Sequence, residues 1–152
     1  MNSLALAVVL QASLAAGASD YRTAHAASVD SGRPLVVLVG ADWCPGCQQM
    51  KTVLTPDFER RTGERVVFAR VDADSQPGLA QRLMRGAGIP QLVMYRKTEK
   101  GWKARRLIGA QSQSTVASFI QEGIRDSAPV AEKKPEAEKA PATQPVSLGT
   151  GG

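Results

Sequence analysis

The chain is poor in cysteine, histidine and aromatic residues: two Cys, one His and 5% aromatics in 152 residues. Two cysteines cannot make a disulfide-dense scaffold, and they fall short of the four ligands a closed structural zinc site needs within one chain. His25 stands alone among alanines, and neither a Ser-His-Asp nor a Cys-His arrangement follows from it. Long hydrophobic runs are also absent. The apolar stretch at residues 4–10 is far shorter than the roughly 20 residues a membrane-spanning helix takes, which excludes a polytopic membrane protein. Acids are fewer than bases, 14 against 19, and the formal charge of +5 permits attraction to nucleic acid, anionic lipid or an acidic protein patch without selecting one. The length favours one compact domain with something left over at its ends. With so little else available, the cysteine pair reads as chemistry.

The two ends differ from the middle. No charged side chain precedes Asp20, and the apolar run 4–10 leads into the small residues Ala15-Ala16-Gly17-Ala18. This pattern predicts a secretory signal over residues 1–18, cut before Ser19, and hence an exported, periplasmic or extracytoplasmic protein, with an uncleaved anchor or an alanine-rich core helix as the alternatives. From residue 128 onward, prolines recur every few positions among Ala, Glu and Lys, with no apolar periodicity to bury. Such a composition cannot offset the entropy of ordering, so residues 128–152 are expected to be a disordered, solvated tail. The folded unit is then residues 19–127.

Within that unit, Asp20 can cap a helix over 21–31, with Gly32 and Pro34 ending it. Five aliphatic residues, 35–39, read as a strand buried on both faces. A helix from Pro45 towards Leu54 restarts at Thr55-Pro56-Asp57, an N-cap followed by an N1 proline and an acidic first turn. A second strand over 65–71 and a short helix from Gln76-Pro77, stopped at Gly86-Ala87-Gly88, come next. Residues 92–95 and 103–108 predict a hairpin around the polar turn Thr98–Gly101. Ser112 caps a last helix whose Val116, Phe119, Ile120 and Ile124 form one face. The sum is an α/β fold with a mixed four-stranded sheet flanked by helices. The basic run from Arg96 to Arg106 lies on the hairpin, where charges guard a sheet edge, and with only Tyr95 and Trp102 near it the run falls short of the interleaved aromatics of a nucleic-acid surface. No nucleic-acid partner is expected.

Cys44-Pro45-Gly46-Cys47 falls between the buried strand and a helix. This spacing puts both sulfurs on one side of the first turn, within reach of a disulfide that can open and close. Unpaired N–H groups at the helix start favour a Cys44 thiolate. Cys44 is therefore the expected nucleophile, and Cys47, one turn inside and less exposed, the resolving thiol.

Ala41-Asp42-Trp43-Cys44-Pro45-Gly46-Cys47 resembles the active-site segment of the thioredoxin superfamily, and Ile89-Pro90 after Gly88 resembles its cis-proline loop. Val71-Asp72-Ala73-Asp74 at the end of the second strand and Gly109 after the last one extend the resemblance over the folded unit. It implies the thioredoxin fold, with residues 21–31 as an additional N-terminal helix. It further implies a cis peptide before Pro90 facing the cysteines, substrate backbone pairing at Ile89 and an aromatic platform from Trp43. The implied activity is disulfide exchange with protein thiols and disulfides, in the reducing direction, by a monomer needing no metal and no cofactor beyond its dithiol. The opening helix and Ser31-Gly32-Arg33-Pro34 are similar to exported thioredoxin-like domains, which implies a membrane thiol electron donor.

Two departures bear on activity. Cytosolic thioredoxins hold a buried Asp in the strand before the motif, where this chain has Leu38, and the central dipeptide is Pro-Gly in place of Gly-Pro. Asp72 and Asp74 read mainly as strand-end turn residues, with a proton-relay role as the alternative. The competing functions are a non-catalytic interaction module whose cysteines form a structural staple and a metal carrier whose site another chain completes.

Overall fold

The computed structural model describes residues 19–86 and 88–129. The expected signal at 1–18, Ala87 and all of the tail beyond Pro129 lie outside them. Helix α1 (Tyr21–Ser31) starts where the Asp20 carboxylate accepts hydrogen bonds from the Arg22 N–H at 2.8 Å and the Thr23 hydroxyl at 2.7 Å. It ends at Gly32, whose φ of +72° is the left-handed conformation that glycine adopts without a Cβ penalty. Ser19–Asp20, just ahead of it, forms β1, a two-residue edge strand beside the four expected strands.

The four are β2 (Leu35–Gly40), β3 (Val67–Asp72), β4 (Gln91–Thr98) and β5 (Gly101–Ile108), in the order β1-β3-β2-β4-β5. β1 and β2 run parallel to β3, while β4 is antiparallel to both β2 and β5. Central β2 is aliphatic because both its faces are covered. Val36 and Leu38 join Met50, Phe58, Phe68, Met94, Phe119 and Ile120 on one side. Leu35, Val37 and Val39 pack with Ala24, Ala69, Val71 and Leu83 on the other. Helices α2 (Pro45–Val53), α3 (Pro56–Gly63) and α5 (Gln113–Arg125) supply the first layer, and α1 and α4 (Pro77–Leu83) the second.

Three boundaries move from the sequence expectation, each for a local reason. β3 begins at Val67 because the Arg65 and Val66 N–H groups are still bonded to the Thr62 carbonyl at the end of α3, at 3.0 and 3.2 Å. The hairpin strands reach Thr98 and Gly101, since Arg96 and Lys97 pair with Lys103 and Trp102 and leave a two-residue connection. Gly101, at φ +95°, closes it. α4 ends at Leu83, before the glycines, because Met84 turns to extended backbone.

The basic hairpin is more than a solvated edge. Arg105 donates to Glu122 at 2.7 Å and lies 5.1 Å from the centroid of the Phe119 ring, and Arg96 donates to the Asp126 carbonyl at 2.7 Å. Both fasten the hairpin to α5. Arg106 reaches the Leu83 carbonyl at 3.3 Å on the other face. The exposed lysines Lys97, Lys100 and Lys103 keep the edge-guarding role.

Candidate active site

β2 delivers the chain to Gly40 at the edge of the core, and the next turn ends at Cys44, the N-cap of α2. Pro45 occupies N1, where its missing N–H costs no hydrogen bond and its fixed φ suits the helix. Cys44 Sγ accepts the Cys47 N–H at 3.2 Å, a first-turn donor that it shares with the Cys44 carbonyl at 3.1 Å. The same geometry stabilises negative charge on that sulfur when the thiol is free. The two cysteines are joined as a disulfide with Cα atoms 5.2 Å apart. Cys47 is 1% exposed and Cys44 5%, which makes Cys44 the more open but both well covered.

A second loop faces them. The Ile89–Pro90 peptide is cis, Pro90 is buried, and Cys44 Sγ lies 3.8 Å from the Ile89 carbonyl oxygen. A Cβ on Gly46 would stand 3.2 Å from Pro90 Cδ and 3.6 Å from the Ala110 Cβ, so the two loops approach as closely as a glycine permits. The Gly109 N–H donates to the Pro90 carbonyl at 2.8 Å and fixes the third side. Trp43 is 69% exposed, with its indole N–H donating to Asp74 Oδ2 at 2.8 Å. The ring is thus anchored yet exposed beside the dithiol. Cys44, Cys47, Trp43, Ile89 and Pro90 are thus brought together, while His25 lies on α1 in a different region.

The acids have distinct uses. Asp42 pairs with Lys51 at 2.5 Å and its carbonyl accepts from the Gln48 side chain at 2.8 Å. Asp72 Oδ1 accepts the Ser75 N–H at 2.7 Å and the Asp74 N–H at 3.1 Å. The Ser75 backbone bond is the main cause holding the Asp72 carboxyl below its ordinary value. Asp72 is a turn cap and Asp74 the anchor of Trp43.

Leu38 is 4% exposed in the core, so β2 presents no carboxylate to Cys47. In its place Cys47 borders an open cavity of about 240 Å³, shared with Gly40, Lys51, Arg70 and Asp72. Arg70 Nη2 donates at 2.8 Å both to Glu59, which is 7% exposed, and to the Leu54 carbonyl, tying the α2–α3 joint to β3.

The thioredoxin family profile matches residues 19–122, the site and all of the scaffold but the end of α5. The chain belongs to the thioredoxin family. Its members are thiol:disulfide oxidoreductases, and this chain carries their dithiol. It is 38% identical over 69 residues to the thiol:disulfide interchange protein TxlA homolog of Synechocystis, covering 45% of this chain and 38% of that protein. It therefore spans well under half of that relative. A thioredoxin of Mycobacterium tuberculosis is 25% identical over 96 residues, 63% of this chain and 78% of that one. The solution structure of a thioredoxin from Thermus thermophilus superposes with a TM-score of 0.57 at 29% identity, covering 68% of this chain and 82% of that one.

Two residues of the thioredoxin site escape sequence reasoning. Gln91 is fully buried, and its amide donates to the Arg85 and Gly88 carbonyls at 3.1 and 3.0 Å while accepting the Arg85 N–H at 3.1 Å. One side chain thus holds the approach to Pro90. The signal was a lone amide heading an apolar strand. Gly40 is the second: a Cβ there would lie 2.9 Å from Cys47 Sγ. Nothing in the sequence distinguishes it from an ordinary strand-ending glycine.

Proposed function

We propose that this thioredoxin-family protein is exported and reduces disulfides of partner proteins, with Cys44 as nucleophile and Cys47 as resolving thiol. The observation that carries the assignment of roles is the Cys47 N–H donated to Cys44 Sγ at the α2 N-terminus. In the reduced protein that bond and the helix end favour the Cys44 thiolate. It attacks one sulfur of a partner disulfide, a mixed disulfide forms, and the partner's other sulfur leaves as thiolate. Cys47 then loses its proton, attacks Cys44 Sγ and expels the partner's second thiolate. The partner gains two electrons and the protein is left with its Cys44–Cys47 disulfide. With Leu38 beside the motif, the Cys47 proton leaves to solvent through the cavity bordered by Gly40, Lys51 and Asp72.

Ile89 and Pro90 flank the sulfurs where the partner's backbone lies, and Trp43 supplies its platform. The protein works as a monomer, through its dithiol alone, and a membrane thiol donor returns it to the reduced state. The leader-like pattern of residues 1–18 supports export. The reduction potential tests the direction: a value near about −270 mV supports donation, and one near about −120 mV overturns it in favour of oxidation. If Cys44 of the reduced protein shows no selective alkylation near neutral pH, the pair is a structural staple. A mature chain beginning at Ser19 outside the cytosol is expected, and a soluble cytosolic chain beginning at Met1 contradicts export.

A further inference from the structure

The large exposed apolar side chains among the described residues are Trp43, Ile108, Trp102 and Val29, and they divide between two places. Trp43 adjoins the dithiol, and Ile108 pairs with Gln91 next to Pro90. Trp102 and Val29 lie elsewhere, in a groove of about 220 Å³ between α1 and the hairpin, with Tyr21, His25, Leu35 and Tyr95. Tyr21, His25 and Val29 are spaced four apart and share one face of α1. Burial pushes the Tyr21 hydroxyl up, with Tyr95 adding to it, so the two rings share one environment. Trp102 pairs with Lys97 and Ile108 with Gln91, six positions away along the strand, which sets the groove about 20 Å from the dithiol end.

We propose that this groove is the docking site of the chain's own proline-rich tail, beginning at Pro129. The route is laid out by the last described residues. α5 packs on the opposite face of the sheet, against Met94. Beyond it the Ala128 N–H donates to the Lys97 carbonyl at 2.8 Å, which brings the backbone into the plane of the sheet. Lys97 is the ladder partner of Trp102, and its side chain lies on the groove's face with that of Tyr95. A chain arriving from α5 and crossing the sheet plane there is one residue pair from the groove.

The chemistry of the segment matches what it meets. Pro129, Pro135, Pro141 and Pro145 favour extended polyproline backbone, the form that aromatic-lined grooves take up at little entropic cost. Glu132, Glu136 and Glu138 would meet Lys97 beside Trp102, and Arg22 and Arg82 where the groove continues past Tyr21. Reach suffices: at about 3.1 Å per residue the six steps from Pro129 to Pro135 span about 19 Å. The α1 face from Val29 to Tyr21 is about 12 Å long.

The test uses the isotope-labelled full chain in NMR. Cross-relaxation between the Trp102 and Tyr95 ring protons and proline side-chain protons is expected, independent of protein concentration. In a full-chain variant carrying Glu132→Lys, Glu136→Lys, Glu138→Lys, Pro135→Ser and Pro141→Ser, that signal is lost. The Trp102 indole N–H resonance shifts while that of Trp43 stays. A Trp102 resonance identical in both chains, with no cross-relaxation, overturns the proposal. So does cross-relaxation that grows with concentration, which would assign the groove to a second copy.

Discussion

The two loops that frame the dithiol are held in opposite ways. The loop leading into Cys44 is held from outside: Asp42 and Lys51 pair with side chains 87% and 44% exposed, and the Trp43 indole bonds to Asp74 in solvent. The loop leading into Pro90 is held from inside, by three hydrogen bonds to the buried Gln91 amide. Exposed pairs contribute little because water and salt compete for both partners, whereas a buried polar group without a partner is expensive. The nucleophile's loop can therefore be changed at its surface with modest effect, while its neighbour depends on one core residue. The placement of Cys44 itself comes from the start of α2 and needs neither surface contact.

The largest expected effect that would sharpen this contrast is at Gln91. Gln91→Leu leaves the Arg85 and Gly88 backbone groups without their partner and should lower unfolding free energy by about 2–3 kcal/mol in denaturant titrations. A loss below that of the surface variants would break the comparison. Gly40→Ala comes next, because its Cβ would stand 2.9 Å from Cys47 Sγ in a packed site. Overpacking of this kind costs about 1–3 kcal/mol, seen in the same titration. Asp74→Ala should cost at most about 0.5 kcal/mol, since the bond is exposed. Its signature is a changed Trp43 fluorescence at nearly unchanged stability.

The smallest effect is on acid stability. The Asp72 carboxyl is held below its ordinary 3.8 mainly by the Ser75 N–H, and that of Glu122 below 4.5 by the Arg105 side chain. A folded-state pKa lowered in this way adds stability that is present above the unfolded value. That stability disappears as the pH falls through the folded one. The melting temperature should therefore fall below about pH 4, and Asp72→Asn should lessen that fall in an acid series monitored by circular dichroism.

The elements with strong local signals were legible: the aliphatic β2, the Asp20 and Gly32 ends of α1, and the Thr55-Pro56 restart at α3. β1 was not, because two residues carry no period, and the hairpin was read short because Arg96 and Lys97 hide a ladder beneath charge. Within the site, Cys44 and Cys47 are revealed by their local spacing, and Trp43 and the Ile89-Pro90 pair by the resemblance of their motifs to the family's. Asp74 matters through a contact across the fold, to Trp43, while Gln91 and Gly40 act on nearby chain, the Arg85–Gly88 backbone and Cys47, through loop geometry that has no regular period. No short-range pattern encodes those. The arginines of the hairpin were underread for the same reason, since their partners sit on α5 and α4.

The division of labour between the two sulfurs is the central claim, and trapping tests it most directly. The Cys47→Ser and Cys44→Ser variants, each reduced, are mixed with a protein disulfide and resolved by non-reducing mass spectrometry. The Cys47→Ser protein should accumulate a mixed disulfide through Cys44, because its first attack is intact and its release is blocked. The Cys44→Ser protein should accumulate almost none, with Cys47 covered at 1% exposure. Equal trapping by the two variants, or trapping through Cys47 alone, would contradict the assignment.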